Sequence, residues 1–142
     1  MLTTAQLAGM RRFDRNYTYR LGLLAKHVFD TNLSWPEARV LMLIAETAPT
    51  SPKTVAAGLA LDRSYTSRLI NRLMAQSLLT KTPSSEDSRA IILELTAAGK
   101  QLNDTLNQLS DQQLRQLLDP LSPEEQQQVF DAIETLNRLL LP

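Results

Sequence analysis

Cysteine is missing from this chain altogether, and histidine occurs once. A disulfide framework, a thiolate zinc site and thiol-based redox sensing are thereby excluded, and neither a structural nor a sensory metal site is expected. Glycine is scarce, with 4 in 142 residues, and aromatic side chains make up only 5%. There is no glycine-rich phosphate loop and no nucleophile paired with a base, so the chain is not expected to be an enzyme. Long hydrophobic runs are lacking too. The opening M-L-T-T-A-Q-L-A-G-M-R-R-F has no apolar stretch of signal-peptide length, and no segment approaches a membrane span. The expectation is a cytoplasmic protein with no membrane partner and no cofactor.

What the chain does have is leucine, at a length that suits one domain with a core needing no metal or disulfide staple. That composition favours a mainly α fold. The net charge of zero is unevenly spread. Residues 1–50 carry six Lys/Arg against four Asp/Glu, net +2, and residues 51–89 carry six against three, net +3. Residues 90–142 carry three bases against eight acids, net −5. A protein with one face for phosphates and another that avoids them needs such asymmetry.

Periodicity divides the chain into six helices and a hairpin. Leu7, Met10, Tyr17, Leu21, Leu24 and Val28 recur at three- and four-residue steps, which predicts a first helix from about Thr4 to Phe29. Ser34-Trp35-Pro36-Glu37 starts a second, with Ser34 as cap, Pro36 in the first turn and Glu37 completing a capping box. Its Val40, Leu41, Ile44 and Ala45 point inward, and it stops near Ala48-Pro49. Ser51 and Pro52 open a short third helix to about Ala60, with Val55, Ala56 and Leu59 buried. Gly58 and Leu61 are expected to let the chain turn. Asp62 caps a fourth helix running to about Gln76, and the short connection makes a helix-turn-helix.

The fourth helix has two unlike sides. Thr66, Leu69, Ile70 and Leu73 form a core stripe, leaving Arg63, Ser64, Tyr65, Ser67, Arg68, Asn71 and Arg72 outside. An ordinary amphipathic helix also has a wet face. This one has no acid after Asp62 and gathers side chains that hydrogen-bond phosphates and base edges. Two strand-like runs follow, Ser77–Thr82 and Ala90–Leu95, separated by a polar loop that Pro83 opens. The loop is too long for a tight turn and should stand clear of the body as a wing. Arg89 at its far end can reach a minor groove. Asp87 is read as the brace that holds Arg89 or a neighbouring amide.

Thr96 caps a fifth helix from about Ala97 to Leu118, ended by Pro120. Ser122-Pro123-Glu124-Glu125 opens a sixth to about Leu140. Both are leucine-rich and acidic, with little left to pack on once the winged helix has closed its own core. Pairing with a second subunit is the economical solution. The alternative is a monomer in which helices one, five and six close on each other.

Ser84 to Gly99, S-S-E-D-S-R-A-I-I-L-E-L-T-A-A-G, resembles the wing signature of the MarR (multiple-antibiotic-resistance regulator) family. In that signature Asp, any residue and Arg precede an apolar strand, then Leu-Thr and a Gly. Leu59 to Leu73 is similar to the family's recognition helix, and the order of elements resembles the family over nearly the whole chain. The resemblance implies one MarR-type domain over 1–142. Its winged helix-turn-helix, with a two-stranded wing, spans about 34–96, and long dimerisation helices flank it at about 4–30 and 97–142.

The resemblance also implies a homodimer binding double-stranded DNA at a pseudo-palindromic operator, most often as a repressor. Ser64, Tyr65, Ser67 and Arg68 would approach the major groove and Arg89 the minor groove, with Ser51, Lys53 and Thr54 near the backbone. Arg63, Arg72 and Asp87 complete the expected DNA-binding set. A small aromatic or anionic effector is implied in a crevice near Tyr17, Arg20, His27 and Trp35, where an arginine and aromatic faces could hold an anionic ring. Singly, Trp35 also reads as a core residue, Tyr17 as a dimer-packing residue and His27 as an ordinary histidine. Residues 11–20 and 33–41 further resemble members fused to a C-terminal acetyltransferase; with the chain ending at Pro142, no such domain is expected. Tyr65 departs from the family, where a small β-branched residue is usual, so the base preference does not carry over. The competing class is a winged-helix protein- or ligand-interaction module without DNA binding, which the zero net charge and the strongly acidic C-terminal third keep open.

Overall fold

The computed structural model describes residues 1–87 and 89–141; Ser88, the middle residue of the expected wing signature, and Pro142 lie outside it. Among the described residues the elements run α1 (Thr4–Arg20), α2 (Trp35–Thr47), α3 (Pro52–Gly58), α4 (Arg63–Ala75), β1 (Leu79–Pro83), β2 (Ile91–Leu95), α5 (Ala97–Leu118) and α6 (Pro123–Leu140). The chain divides into two compact units, one of residues 1–106 and one from 107 onward.

Local chemistry sets most helix starts. The Ser34 hydroxyl accepts from the Glu37 amide while Glu37 Oε2 accepts from the Ser34 amide, at 3.3 and 3.0 Å. Ser51 accepts from the Thr54 amide and Asp62 from the Tyr65 amide. Ser122 and Glu125 exchange the same reciprocal pair of bonds as Ser34 and Glu37. Each arrangement satisfies amide groups that a helix start leaves without partners.

The first unit is built on α4. Its Thr66, Leu69, Ile70 and Leu73 are buried, and α2 and α3 pack against it. Leu41 and Ile44 of α2, Val55 of α3 and Leu93 of β2 close the same core. The two strands pair antiparallel from Leu79 opposite Leu95 to Pro83 opposite Ile91. Thr50 adds a single bridge to Leu93, with amide-to-carbonyl bonds in both directions at 3.3 and 2.8 Å. Pro83, expected to open the loop, instead ends β1 at an outer position, where its missing N–H costs no central ladder bond.

Helix α1 is shorter than its periodicity predicts. It stops at Arg20, not near Phe29. Gly22 adopts φ +69, Phe29 +46 and Asp30 +60, a left-handed region in which a helix cannot continue. Val28 is fully buried, yet as part of a turn closed by its amide on the Leu33 carbonyl at 2.9 Å. Helix α3 likewise ends at Gly58 rather than Ala60. The reversal into α4 falls on Ala60, at φ +51, rather than on Gly58 and Leu61, and Leu59 is half-buried rather than buried.

Thr96 ties three elements together. Its hydroxyl donates to the Ser77 carbonyl at 2.7 Å and accepts from the Gly99 amide at 3.0 Å. Its own amide donates to the Leu78 carbonyl at 3.1 Å. Gly99 is buried so closely that a Cβ there would run into the Leu78 carbonyl oxygen. The Leu-Thr-x-x-Gly of the wing signature therefore has a packing reason: a small residue lets the first turn of α5 lie against the chain entering β1.

In the second unit, α6 buries no residue and leaves Phe130, Ile133, Leu136 and Leu139 exposed. Gln126 bridges from α6 to the Leu118 carbonyl at the end of α5, at 3.0 Å. Within the first unit α1 also buries nothing, with Leu7, Met10 and Phe13 exposed. No helix among the described residues is long and apolar enough to cross a membrane.

Candidate nucleic-acid interface

Along α4 successive residues turn by about 100°. The buried stripe fixes the opposite direction, and Ser64, Arg68, Asn71 and Ala75 lie closest to it, all exposed. Arg63 and Ser67 fall on one flank, Tyr65 and Arg72 on the other. The two flanks do different things.

On the first flank lies an open hollow of about 380 Å³, lined by Ser51, Lys53, Arg63, Ser67 and Arg89 together with Pro52, Ala90 and Ile91. Five expected site residues from α3, α4 and the wing thus share one surface. Three of them are cations, and among the described residues no acid lies within ion-pair distance of any of the three. Thr54 is exposed next to this group and its hydroxyl is hydrogen-bonded to Ser51 Oγ at 2.9 Å.

The second flank is tied down. Arg68 lays its guanidinium over the Tyr65 ring, with Cζ 5.6 Å from the ring centroid. Tyr65 is half-buried and packs on the core. Arg72, expected in the DNA-binding set, reaches Glu37 on α2 at 3.6 Å. Glu37 is buried, and its other oxygen holds the Ser34 amide, so one carboxylate joins the start of α2 to the end of α4. Sequence reading found Glu37 only as a capping residue; an ion pair 35 positions apart leaves no local signal.

At the wing, Asp87 Oδ1 accepts the Arg89 amide at 3.0 Å and the Asp87 carbonyl accepts the Ala90 amide at 3.0 Å. Glu86 is held from its amide by Ser84 Oγ, and the Ser84 amide closes on the Ala90 carbonyl. The aspartate shapes the loop through the backbone and leaves the Arg89 guanidinium unpaired among the described residues.

The four residues read as an effector set have the following settings. Tyr17 and Arg20 line a shallow hollow on α1 with Arg12, Phe13 and Asn16, and Tyr17 stacks on Phe13 at 5.4 Å. Trp35 sends its indole N–H to the Gly22 carbonyl at 3.0 Å, packs edge-on to Phe29 and carries Arg39 over its face. His27 is exposed in the segment between α1 and α2. Among the described residues no group of three or more His, Asp or Glu is placed to hold a metal.

A short helix, a turn, a recognition helix with a polar outer face and a two-stranded wing define a winged helix-turn-helix protein. Residues 31–90, the segment that builds α2 to the wing, match the MarR family model. The chain is 29% identical over 109 residues to YfiV of Bacillus subtilis, an uncharacterised HTH-type transcriptional regulator, covering 77% of this chain and 68% of that one. It is 30% identical over 80 residues to the HTH-type transcriptional regulator MgrA of Staphylococcus aureus, covering 56% of this chain and about half, 54%, of MgrA. In fold it is similar to Streptococcus pneumoniae FabT, solved in complex with DNA, at a TM-score of 0.76 and 16% identity, covering 97% of each chain.

Proposed function

We propose that this chain is a dimeric, sequence-specific DNA-binding transcriptional regulator, acting in the cytoplasm as a repressor released by a small molecule. The observation that carries the reading is the hollow where Lys53, Arg63 and Arg89 converge from three elements with no acid partner among the described residues. Phosphate neutralisation needs such unpaired charge. Ser51, Lys53, Thr54 and Arg63 serve the DNA backbone, Ser64, Tyr65, Ser67 and Arg68 the major groove, and Arg89 the minor groove, with Asp87 shaping the loop that carries it. The similarity to an HTH-type transcriptional regulator, and in fold to a protein solved in complex with DNA, supports the same reading.

Dimerisation is supported by two helices that bury none of their residues, α1 and α6. Exposed apolar stripes on both are what a second subunit would cover. In this reading 1–142 is one MarR-type domain, with α1, α5 and α6 as its dimerisation helices. The effector reading rests on the arginine and aromatic side chains of α1 and α2, Tyr17 and Arg20 foremost.

The deciding experiment is a gel shift of the purified chain against random duplex at low salt. Binding that weakens steeply as salt rises is the expected result. No shift even at low salt would leave the interaction module without DNA binding as the better account. Selection of bound fragments from genomic DNA then yields the operator, and added aromatic acids should release it.

A further inference from the structure

The three arginines of α4 are exposed to the same solvent but stand in three different environments. Arg63 lines the hollow beside Lys53 and Arg89. Arg72 is claimed by the buried Glu37. Arg68 lies near the middle of the outward face, and its guanidinium rests on the Tyr65 ring. The ring is held by its packing on the core, and the backbone amide of the same residue is capped by Asp62.

We infer that Tyr65 is a positioning residue that holds Arg68 as a preset fork for the O6 and N7 edge of one guanine in each half-site. This rests on the DNA-binding reading and adds to it the base that is read and the residue that sets the reader. A free arginine samples many rotamers and must be ordered on binding. Arg68 needs less ordering because its guanidinium already sits over the ring, with Cζ 5.6 Å from the centroid. A cation on an aromatic face at an exposed site biases the rotamer population by roughly two- to five-fold. A contact with the ring face uses none of the guanidinium N–H donors, and a planar pair of donors matches guanine, which presents two acceptors side by side in the major groove. Adenine presents an acceptor beside a donor and fits an amide side chain better. The other two arginines lack this setting: Arg63 sits where phosphates converge, and Arg72 is turned toward α2.

The test is selection from randomised half-sites with the full chain, read position by position, with the salt slope of binding as a second measurement. Arg68→Ala should abolish a guanine preference at one position per half-site, a change on the order of ten-fold or more. Tyr65→Leu fills the same core space but offers no aromatic face. It should weaken that same preference by roughly two- to five-fold and leave the salt slope unchanged. Tyr65→Phe keeps the ring and should restore the preference. Three results would overturn the inference. These are a Tyr65→Leu preference equal to wild type, a Tyr65→Phe loss as large as that of Tyr65→Leu, or an Arg68→Ala chain with a flattened salt slope and unchanged base preference. A wild-type chain that binds no duplex at low salt would instead sink the DNA-binding reading itself.

Discussion

Gly99 is a residue where a single methyl group decides the outcome. Its missing side chain lets α5 begin against the Leu78 carbonyl, and any Cβ would collide with that oxygen. The obstacle is backbone, which cannot rotate away as a side chain would. Gly99→Ala should destabilise the fold by about 1–3 kcal/mol despite the better helix propensity of alanine, as urea unfolding would show. Gly58 meets only the flexible end of Leu43, so Gly58→Ala serves as the mild control. Arg89 is the second residue whose effect can be sized. Its unpaired charge on the wing predicts that Arg89→Ala lowers the log–log salt slope of DNA binding by about one and leaves base preference in the major groove intact. An unchanged slope would remove Arg89 from the phosphate- and groove-facing set.

At the scale of elements, the packing of α2 on α4 is the relation that aims the recognition helix. Glu37 serves it twice, as the capping-box acid at the start of α2 and as the partner of Arg72. Glu37→Ala should lower stability by about 1–2 kcal/mol, the sum of a lost cap and a weak ion pair. Arg72→Ala, which keeps the cap and breaks only a pair whose arginine is 60% exposed, should cost less than about 1 kcal/mol by thermal unfolding. A larger loss in Arg72→Ala than in Glu37→Ala would mean that the arginine has a further partner.

The elements also show what the sequence discloses and what it does not. Ser34-x-Pro-Glu, Ser51-Pro52, Asp62 and Ser122-Pro-x-Glu each contain both halves of a local interaction, so α2, α3, α4 and α6 start where the residues say. The buried stripe of α4 followed from its spacing for the same reason. The end of α1 did not, because Leu21, Leu24 and Val28 continue a helical spacing through a segment that Gly22 has already turned. Leu24 is exposed and Val28 buried by tertiary contact, a distinction that periodicity cannot make. On the candidate interface, the types of residue were legible, but their division was not. The cation–π pair and the ion pair that sort Arg68 and Arg72 need the helix placed on its neighbours before they exist.

For the whole molecule, charge and apolar surface are segregated along the chain. The segment 51–89 carries a net +3, while α6 is acidic and exposes an apolar stripe. Ile133→Asp on that stripe, at a side chain 44% exposed, should convert a dimer to a monomer with little change in the melting of the winged helix. Sedimentation velocity measures the first and circular dichroism the second. A species still dimeric with aspartate at 133 would move the subunit contact away from α6. Duplex affinity should fall in the monomer by more than any single phosphate contact explains, because two half-sites are then no longer held together.

The knot at Thr96 has a mechanical meaning. Ser77, Leu78 and Gly99 are fastened to one residue by three hydrogen bonds, which makes the root of the hairpin and the first turn of α5 a single bracket. A twist applied to the first turn of α5 is therefore passed to the root of the hairpin at Ser77 and Leu78 instead of being absorbed at the junction between them.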